Sequence, residues 1–477
     1  MGKIKFGTDG WRAVISEDFT FENVLITAQA IADFIKKEKG AIYKKKKIVV
    51  GYDTRFLSRE YAEKIAGVLA ANGINVILTD RACPTPAVSL HIHDNKLTGG
   101  VVVTASHNPP AYNGIKYKGY YGGSAGEDLI NKIENNLYKN KVNYLTLESA
   151  IEKNKVVLTD IVSLQMNAIK KQTNMNILRK GTLKILVDSM NGVGGTYLSG
   201  FLKNTKVKID YMNEEVNPGF KGRAPEPNPA HLKDLANEVK RGGYDLGIAT
   251  DGDADRLGIS DEKGVILTGH KVMALCLLHL IEKRKMKGGV VQTVCGTALI
   301  NKICEKYGLK IYETPVGFRS ICDLMYTNDI LLGGEETGGL GFKNYIPERD
   351  GILAALMMIE MLISKNKPLS EVVKDMGKEY GEYDYQREDI LFPKEKRDLI
   401  INGIKKKPLV KVCNRNVVRL NDCDGFKFIC DDGTWMMIRF SGTEPKLRIY
   451  SETSSAKKSL EYIKFGKDYA FSMFLKK

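Results

Sequence analysis

Short runs of apolar and β-branched residues recur along this chain, each breaking off at a polar or glycine-rich loop. KIVVGYD (47–53), NVILTD (75–80), VVVT (101–104), LKILVDSM (183–190), YDLGIAT (244–250), VVQTV (290–294) and LKIYET (309–314) have strand length. Helical patterns lie among them, from Phe21 to about Glu38, from Ser58 to Ala71 and from His231 to Arg241. Strands separated by helices pair through crossovers rather than hairpins, which predicts successive α/β units with mixed sheets. From about Gly377 the texture changes: VVRLND, FKFICD and TWMMIRF are short strands, and a helix runs from Ser455 to about Phe474. The pattern predicts three similar α/β domains, residues 1–145, 146–260 and 261–375, followed by a smaller α+β domain over 376–477.

Composition narrows the class. The chain has 477 residues, 43% hydrophobic and 27% charged, which suits a globular protein with a full core. MALCLLHLI (273–281) is the most apolar stretch and is too short to span a bilayer, so it reads as a buried helix and no membrane partner is expected. Eight cysteines without a C-x-x-C pair fit free thiols in a reducing cytoplasm. The net charge is +15, but lysine runs such as Lys44–Lys47 and Lys405–Lys407 carry no interleaved aromatics. They read as solvated faces that would help steer an anionic substrate, and no nucleic-acid partner is expected.

The chemistry lies in the loops. The strand 101–104 stops at a polar turn headed by Ser106 and His107, and Asn108-Pro109-Pro110 keeps regular structure from resuming. A hydroxyl there, with an imidazole beside it and Lys116 further on, suits a nucleophile or a phosphate carrier. An ordinary Asn-Pro loop would look the same in isolation, so the partners elsewhere decide. Asp251, Asp253 and Asp255 alternate with small residues in DGDADR. Three carboxylates this close repel one another unless a cation lies between them, and an oxygen-only set selects Mg²⁺ or Mn²⁺ over zinc. An EF-hand does not fit, because its required glycine is Arg256 here and its flanks are strands.

RFSGTEPKLRIY (439–450) surrounds a Ser-Gly-Thr turn with Arg439 and Arg448. The turn's N–H groups and hydroxyls can cradle a phosphate dianion that the guanidinium groups bind bidentately. GGEETGG (333–339) offers a carboxylate and a hydroxyl on a glycine-hinged loop, suited to paired sugar hydroxyls. Two other motifs lead nowhere. NGVGG (191–195) lacks the third glycine of a dinucleotide fingerprint, which would fall at Tyr197, and His91-x-His93 has no third ligand nearby.

TASHNP, DGDADR, GEETGG and RFSGTEPKLRIY, in this order and spanning the chain, resemble the motifs of the α-D-phosphohexomutase family, the phosphoglucomutases and phosphomannomutases. The resemblance implies three mixed α/β domains around a central cleft plus a smaller C-terminal domain. It implies that Ser106 is the phosphoserine and that Asp251, Asp253 and Asp255, joined by it, bind one Mg²⁺ per chain. Arg256 would face the phosphoserine, and Arg12, His107 and Lys116 would lie near the transferred phosphoryl group. Glu335 and Thr337 would read the sugar's 3- and 4-hydroxyls. Arg439, Ser441, Gly442, Thr443 and Arg448 would hold the phosphate that is not reacting. TPVGFR, with Gly317 and Arg319, resembles the glucose-type form of the third-domain loop.

The implied activity interconverts hexose 1-phosphate and hexose 6-phosphate, with a hexose 1,6-bisphosphate as intermediate and activator. Glucose is favoured and mannose possible; the alternatives are a phosphomannomutase or a glucose 1,6-bisphosphate synthase. The partner expected is a small phosphosugar, and the chain is expected to be a cytoplasmic monomer or homodimer. One departure stands out. Relatives reading GEMSGH place a histidine, a proposed general base, where this chain has Gly339. Proton transfer then falls to Lys116, His107 or a basic residue such as Arg349, with Lys116 favoured because arginine's pKa exceeds about 12.

Overall fold

A computed structural model describes residues 4–441 and 445–475. The chain divides into two compact units, Met1–Gly288 with Gly317–Ser370, and Gly289–Val316 with Glu371–Lys477. The secondary structure is that of three α/β domains followed by a C-terminal domain.

In the first unit, a six-stranded sheet runs in the order Trp11–Val14, Tyr112–Lys118, Gly99–Val103, Lys47–Tyr52, Asn75–Thr79, Val156–Thr159. The last four strands are parallel. The loop after Val103 is too short to hold a crossover helix, so Tyr112–Lys118 returns antiparallel beside Gly99–Val103. Trp11–Val14 then pairs antiparallel with it. This register sets Lys116 opposite Val102 and Arg12 opposite Gly114, so both basic residues flank the loop that carries Ser106. The helix Phe21–Lys37 starts at Thr20, whose hydroxyl accepts from Asn23 N at 3.2 Å. It buries Val24, Ala28, Ile31 and Ile35 on one stripe and packs against the helix Ser58–Ala71.

The second sheet runs Ile266–Leu267, Leu257–Asp261, Leu246–Thr250, Lys184–Asp188, Lys208–Met212, with the last three parallel. Leu246–Thr250 and Leu257–Asp261 form a hairpin whose paired ends, Thr250 and Leu257, enclose the acidic loop. The helix expected from His231 begins at Lys233, because Asn228 Oδ1 first accepts from Ala230 N and His231 N and holds a turn there. Further on, Ile330–Gly334 pairs antiparallel with Leu340–Phe342 and encloses the EETGG turn. The helix Gly351–Lys365 follows, with the Asp350 carboxylate accepting from Ile352 N and Leu353 N at 2.9 Å each. MALCLLHLI lies in the buried helix Gly269–Glu282, and no helix among the described residues is long and apolar enough to cross a membrane.

In the second unit, Gly289–Thr293 and Ile311–Thr314 pair in parallel. A wholly antiparallel sheet runs Asp384–Leu391, Lys446–Thr453, Trp435–Phe440, Phe426–Cys430, Arg415–Asn421, Lys411–Val412. The helices Arg397–Lys406 and Ala456–Leu475 share a core with it around Phe428, Met436, Ile438, Leu447 and Ile449.

Candidate active site

Ser106 lies three residues beyond its strand in the left-handed conformation, φ 53°, which a non-glycine residue adopts only under constraint. It is fully buried. Its Oγ donates to Asp251 Oδ2 at 3.0 Å and lies 3.3 Å from His107 Nδ1, while its N–H donates to Thr104 Oγ1 at 2.8 Å. Burial, with Arg256 and Arg12 nearby, holds the His107 imidazole well below its usual pKa, so it is neutral near pH 7.

The acidic hairpin loop supplies the other side. Asp251, Asp253 and Asp255 are buried, and one oxygen from each lies within 4.8 Å of the others. Asp251 Oδ1 accepts from Asp255 N at 2.9 Å and Arg256 N at 3.1 Å, which folds the loop around that carboxylate. Asp253 Oδ2 accepts from Thr85 Oγ1 at 2.5 Å. Asp253 Oδ1 and Asp255 Oδ1 are buried acceptors without a hydrogen-bond partner among the described residues. Orphaned oxygens of this kind cost free energy unless a cation meets them, so the donor set fits a hard divalent metal. Burial, with Asp255 and Asp253 beside it, pushes the Asp251 carboxyl well up; burial acts likewise on Asp255, but Arg349 and Lys116 override it and hold that group low.

Lys116 is buried and salt-bridged to Asp253 (2.8 Å), Asp9 (3.0 Å) and Asp255 (3.1 Å). Burial opposes its charge, and the three carboxylates outweigh burial and raise its pKa. Arg12 donates to Asn108 Oδ1 at 2.7 Å and pairs with Asp9 at 3.2 Å. Arg256 points towards Glu226, with 3.9 Å between the charged groups.

The EETGG turn belongs to the same site. Leu257 N donates to Gly338 O at 3.0 Å, Arg256 and Gly339 form a β-bridge, and Gly351 N donates to Ala254 O at 3.0 Å. These bonds tie the turn and the start of the helix Gly351–Lys365 to the acidic loop. Glu335 is buried and accepts from Arg349 Nη1 at 2.9 Å; burial pushes its carboxyl up to about 7 against the pull of Arg349 and Arg256. Thr337 Oγ1 is a buried hydroxyl without a hydrogen-bond partner among the described residues. Gly317, at φ 119°, precedes the helix Phe318–Thr327, and Arg319 Nη2 donates to Gly7 O at 3.1 Å.

Two residues hold this arrangement together, and sequence reasoning gave Asp9 no role and Arg349 only a place among the candidate bases. Asp9 pairs with Lys116, Arg12 and, at 2.7 Å, Arg349. Arg349 is buried over the Phe318 ring and also meets Asp255 and Glu335 at 2.9 Å each. Asp9 stands three residues before Arg12 in the segment FGTDGWR (6–12), which was the available signal. The NGVGG glycines also acquire a purpose. A Cβ at Gly192 would lie 2.8 Å from Gly252 Cα, and one at Gly194 would lie 2.2 Å from Thr250 Oγ1, so the turn abuts the acidic loop.

Arg439, Ser441 and Arg448 belong to the second unit. Arg439 and Arg448 face each other across paired strands; Arg439 Nε meets Asp424 at 2.9 Å and Arg448 Nε meets Asp389 at 3.4 Å. Ser441 N donates to Lys446 O at 2.9 Å, and Gly442 and Thr443 lie outside the described residues.

Four family models match successive parts of the chain, all described as phosphoglucomutase/phosphomannomutase. They are alpha/beta/alpha domain I over residues 3–143, domain II over 165–264, domain III over 268–380 and the C-terminal domain over 394–464. A phosphoglucomutase/phosphomannomutase of Thermococcus kodakarensis is 32% identical over 470 residues, covering 98% of each chain. A phosphoglucosamine/phosphogalactosamine mutase of Sulfurisphaera tokodaii is also 32% identical and covers 95% of each. Among solved structures, a Thermus thermophilus protein provisionally named a phosphomannomutase matches with a TM-score of 0.84 at 28% identity, over 98% of this chain and 99% of that one.

Proposed function

Because the chain belongs to the phosphoglucomutase/phosphomannomutase family, and is accordingly a phosphohexomutase, we propose that it interconverts glucose 1-phosphate and glucose 6-phosphate through a phosphorylated Ser106, with mannose phosphates also accepted. The observation that carries this reading is the buried Ser106 hydroxyl 3.0 Å from Asp251, beside two further carboxylates with orphaned oxygens. Asp251, Asp253, Asp255 and an oxygen on Ser106 would hold Mg²⁺, which when bound neutralises charge on a transferring phosphoryl group.

The phosphoryl group passes from Ser106 Oγ to the free hydroxyl of the sugar phosphate: the Oγ–P bond breaks, a new O–P bond forms, and the hydroxyl proton leaves. The product is a hexose 1,6-bisphosphate, and its other phosphate then returns to Ser106. Such transfer depends on positioning and charge neutralisation. Arg12, Arg256 and Lys116 supply fixed positive charge, and removing one such group costs about 2.7–4 kcal/mol of transition-state stabilisation. Lys116 is engaged as an ammonium by three carboxylates and so acts as charge rather than as a base. Gly339 stands in place of the histidine, and a Cβ there would lie 3.3 Å from Glu335 Oε2, so the carboxyl beside that position, which burial pushes up to about 7, is the group we assign to the proton. Arg439, Ser441 and Arg448 bind the phosphate that stays on the sugar.

TPVGFR resembles the glucose-type third-domain loop and GEETGG departs from the G-E-Q-S-G-H loop usual in phosphoglucosamine mutases, which together favour glucose over glucosamine. A coupled assay with glucose 1-phosphate, mannose 1-phosphate and glucosamine 1-phosphate, primed with a trace of glucose 1,6-bisphosphate, tests the order. A higher kcat/KM for glucosamine 1-phosphate would overturn the sugar preference. A Ser106→Ala chain that keeps mutase activity would overturn the phosphoserine.

A further inference from the structure

Arg55 follows the strand Lys47–Tyr52, is 3% exposed, and has no role assigned above. Its guanidinium is nevertheless spent on the Ser106 loop. Nη2 donates to Ser106 O and to Asn108 O at 2.6 Å each, and Nη1 donates to Pro109 O at 2.9 Å and Tyr112 O at 3.0 Å. Nε faces Asp53 at 3.3 Å, and the Phe220 ring covers the guanidinium, 4.8 Å from its centre. Asp53 is buried as well. It accepts from Thr104 Oγ1 at 2.6 Å, Ser58 Oγ at 2.7 Å and Arg55 N at 2.9 Å. Thr104 Oγ1 in turn accepts from Ser106 N at 2.8 Å.

Ser106 is thus held from both ends of its own backbone, its N–H through Thr104 and Asp53 and its C=O by Arg55. The residue between those grips carries the left-handed φ of 53°. Asn108, gripped by its carbonyl, presents its side-chain oxygen to Arg12 at 2.7 Å. We propose that Arg55, anchored by Asp53 and Thr104, is a positioning residue that fixes the Ser106 loop in the conformation from which the phosphoryl group is transferred in line. This rests on the reading of Ser106 as the phosphoryl carrier. Four carbonyls fanned around one planar fork require guanidinium geometry; a lysine keeps the charge but offers its donors from a single point and reaches fewer of them.

The test is Arg55→Lys, loaded with phosphate by glucose 1,6-bisphosphate and mixed with glucose 1-phosphate in a single turnover. That rate constant does not depend on how much of the enzyme is active, so lowered stability alone leaves it unchanged. It is expected to fall about 10²-fold, the usual consequence of an ångström-scale misplacement, with KM within about threefold of wild type. A folded Arg55→Lys enzyme transferring at the wild-type rate overturns the inference. If Arg55→Lys does not fold, Thr104→Val removes the acceptor of Ser106 N–H at nearly constant shape; the same slowing supports the inference and a wild-type rate overturns it. Ser106→Ala serves as the reference. If that chain is fully active and the wild type carries no phosphate at position 106, the phosphoserine reading fails and takes this inference with it. An inactive Ser106→Ala beside an unimpaired Arg55→Lys overturns the positioning role alone.

Discussion

A Cβ on Gly339 would lie 2.6 Å from Arg349 Cδ and 3.3 Å from Glu335 Oε2. Glycine at that position leaves the space through which Arg349 reaches Asp9, Asp255 and Glu335, so the absent histidine and the buried arginine are two sides of one packing choice. Gly339→Ala should displace Arg349 and lower kcat by roughly 10²-fold with little change in KM. Steady-state kinetics at the wild-type kcat would show that Arg349 can give way without consequence. Glu335 makes a second prediction with a definite sign. Burial raises its pKa from the ordinary 4.5 to about 7, with Arg349 and Arg256 pulling the other way. Between those values the folded chain holds a proton that the unfolded chain has released, so stability is lost as pH rises through that window. In EDTA, the urea midpoint of the wild type should drop between about pH 5 and about pH 7 more than that of Glu335→Gln. Equal drops would mean that Glu335 is ionised throughout.

The acidic hairpin loop and the Ser106 loop come together because one of them has no side chain at the contact. A Cβ on Gly252 would lie 2.5 Å from Ser106 O and 3.1 Å from the Pro225 ring, and a backbone carbonyl cannot move aside as a flexible side chain can. Gly252→Ala should therefore cost about 1–3 kcal/mol of stability and reduce phosphate incorporation at Ser106, read by thermal unfolding and intact mass. Unchanged values for both would mean that the loops part easily. The element scale also shows what a sequence discloses. Strands such as Lys47–Tyr52 and Leu246–Thr250 were legible because β-branched runs end at polar loops, and helix Ser58–Ala71 because its apolar stripe has helical spacing. DGDADR was legible because three carboxylates crowd into one loop. Asp9 beside Arg349, or Arg55 beneath Ser106, were not: those contacts join residues far apart in the chain, and local spacing carries no trace of them. Lys116 was visible as a cation near Ser106, but its three carboxylate partners, on which the proposed role as fixed charge rests, come from two distant stretches.

At the scale of the whole chain, the proposed chemistry divides between the two compact units, each with its own core. Ser106, the three aspartates and Glu335 fold within the first; Arg439 and Arg448 lie on neighbouring strands of the second, oriented by Asp424 and Asp389. Changing an arginine of the second unit should therefore leave metal binding as it is, because the bonds that hold Asp251, Asp253 and Asp255 in place come from residues of the first unit. A charge-assisted hydrogen bond to a phosphate is worth about 1.5–3 kcal/mol, so Arg448→Ala should raise KM for glucose 1-phosphate roughly 10–100-fold. A mutase needs that grip because the same phosphosugar must be held by either phosphate in turn, whereas a metal-dependent phosphatase needs only the reacting end. Release of inorganic phosphate by Arg448→Ala at the wild-type KM would therefore assign the Ser106 centre to hydrolysis. A raised KM with Ser106 still fully phosphorylated would tie turnover to both units.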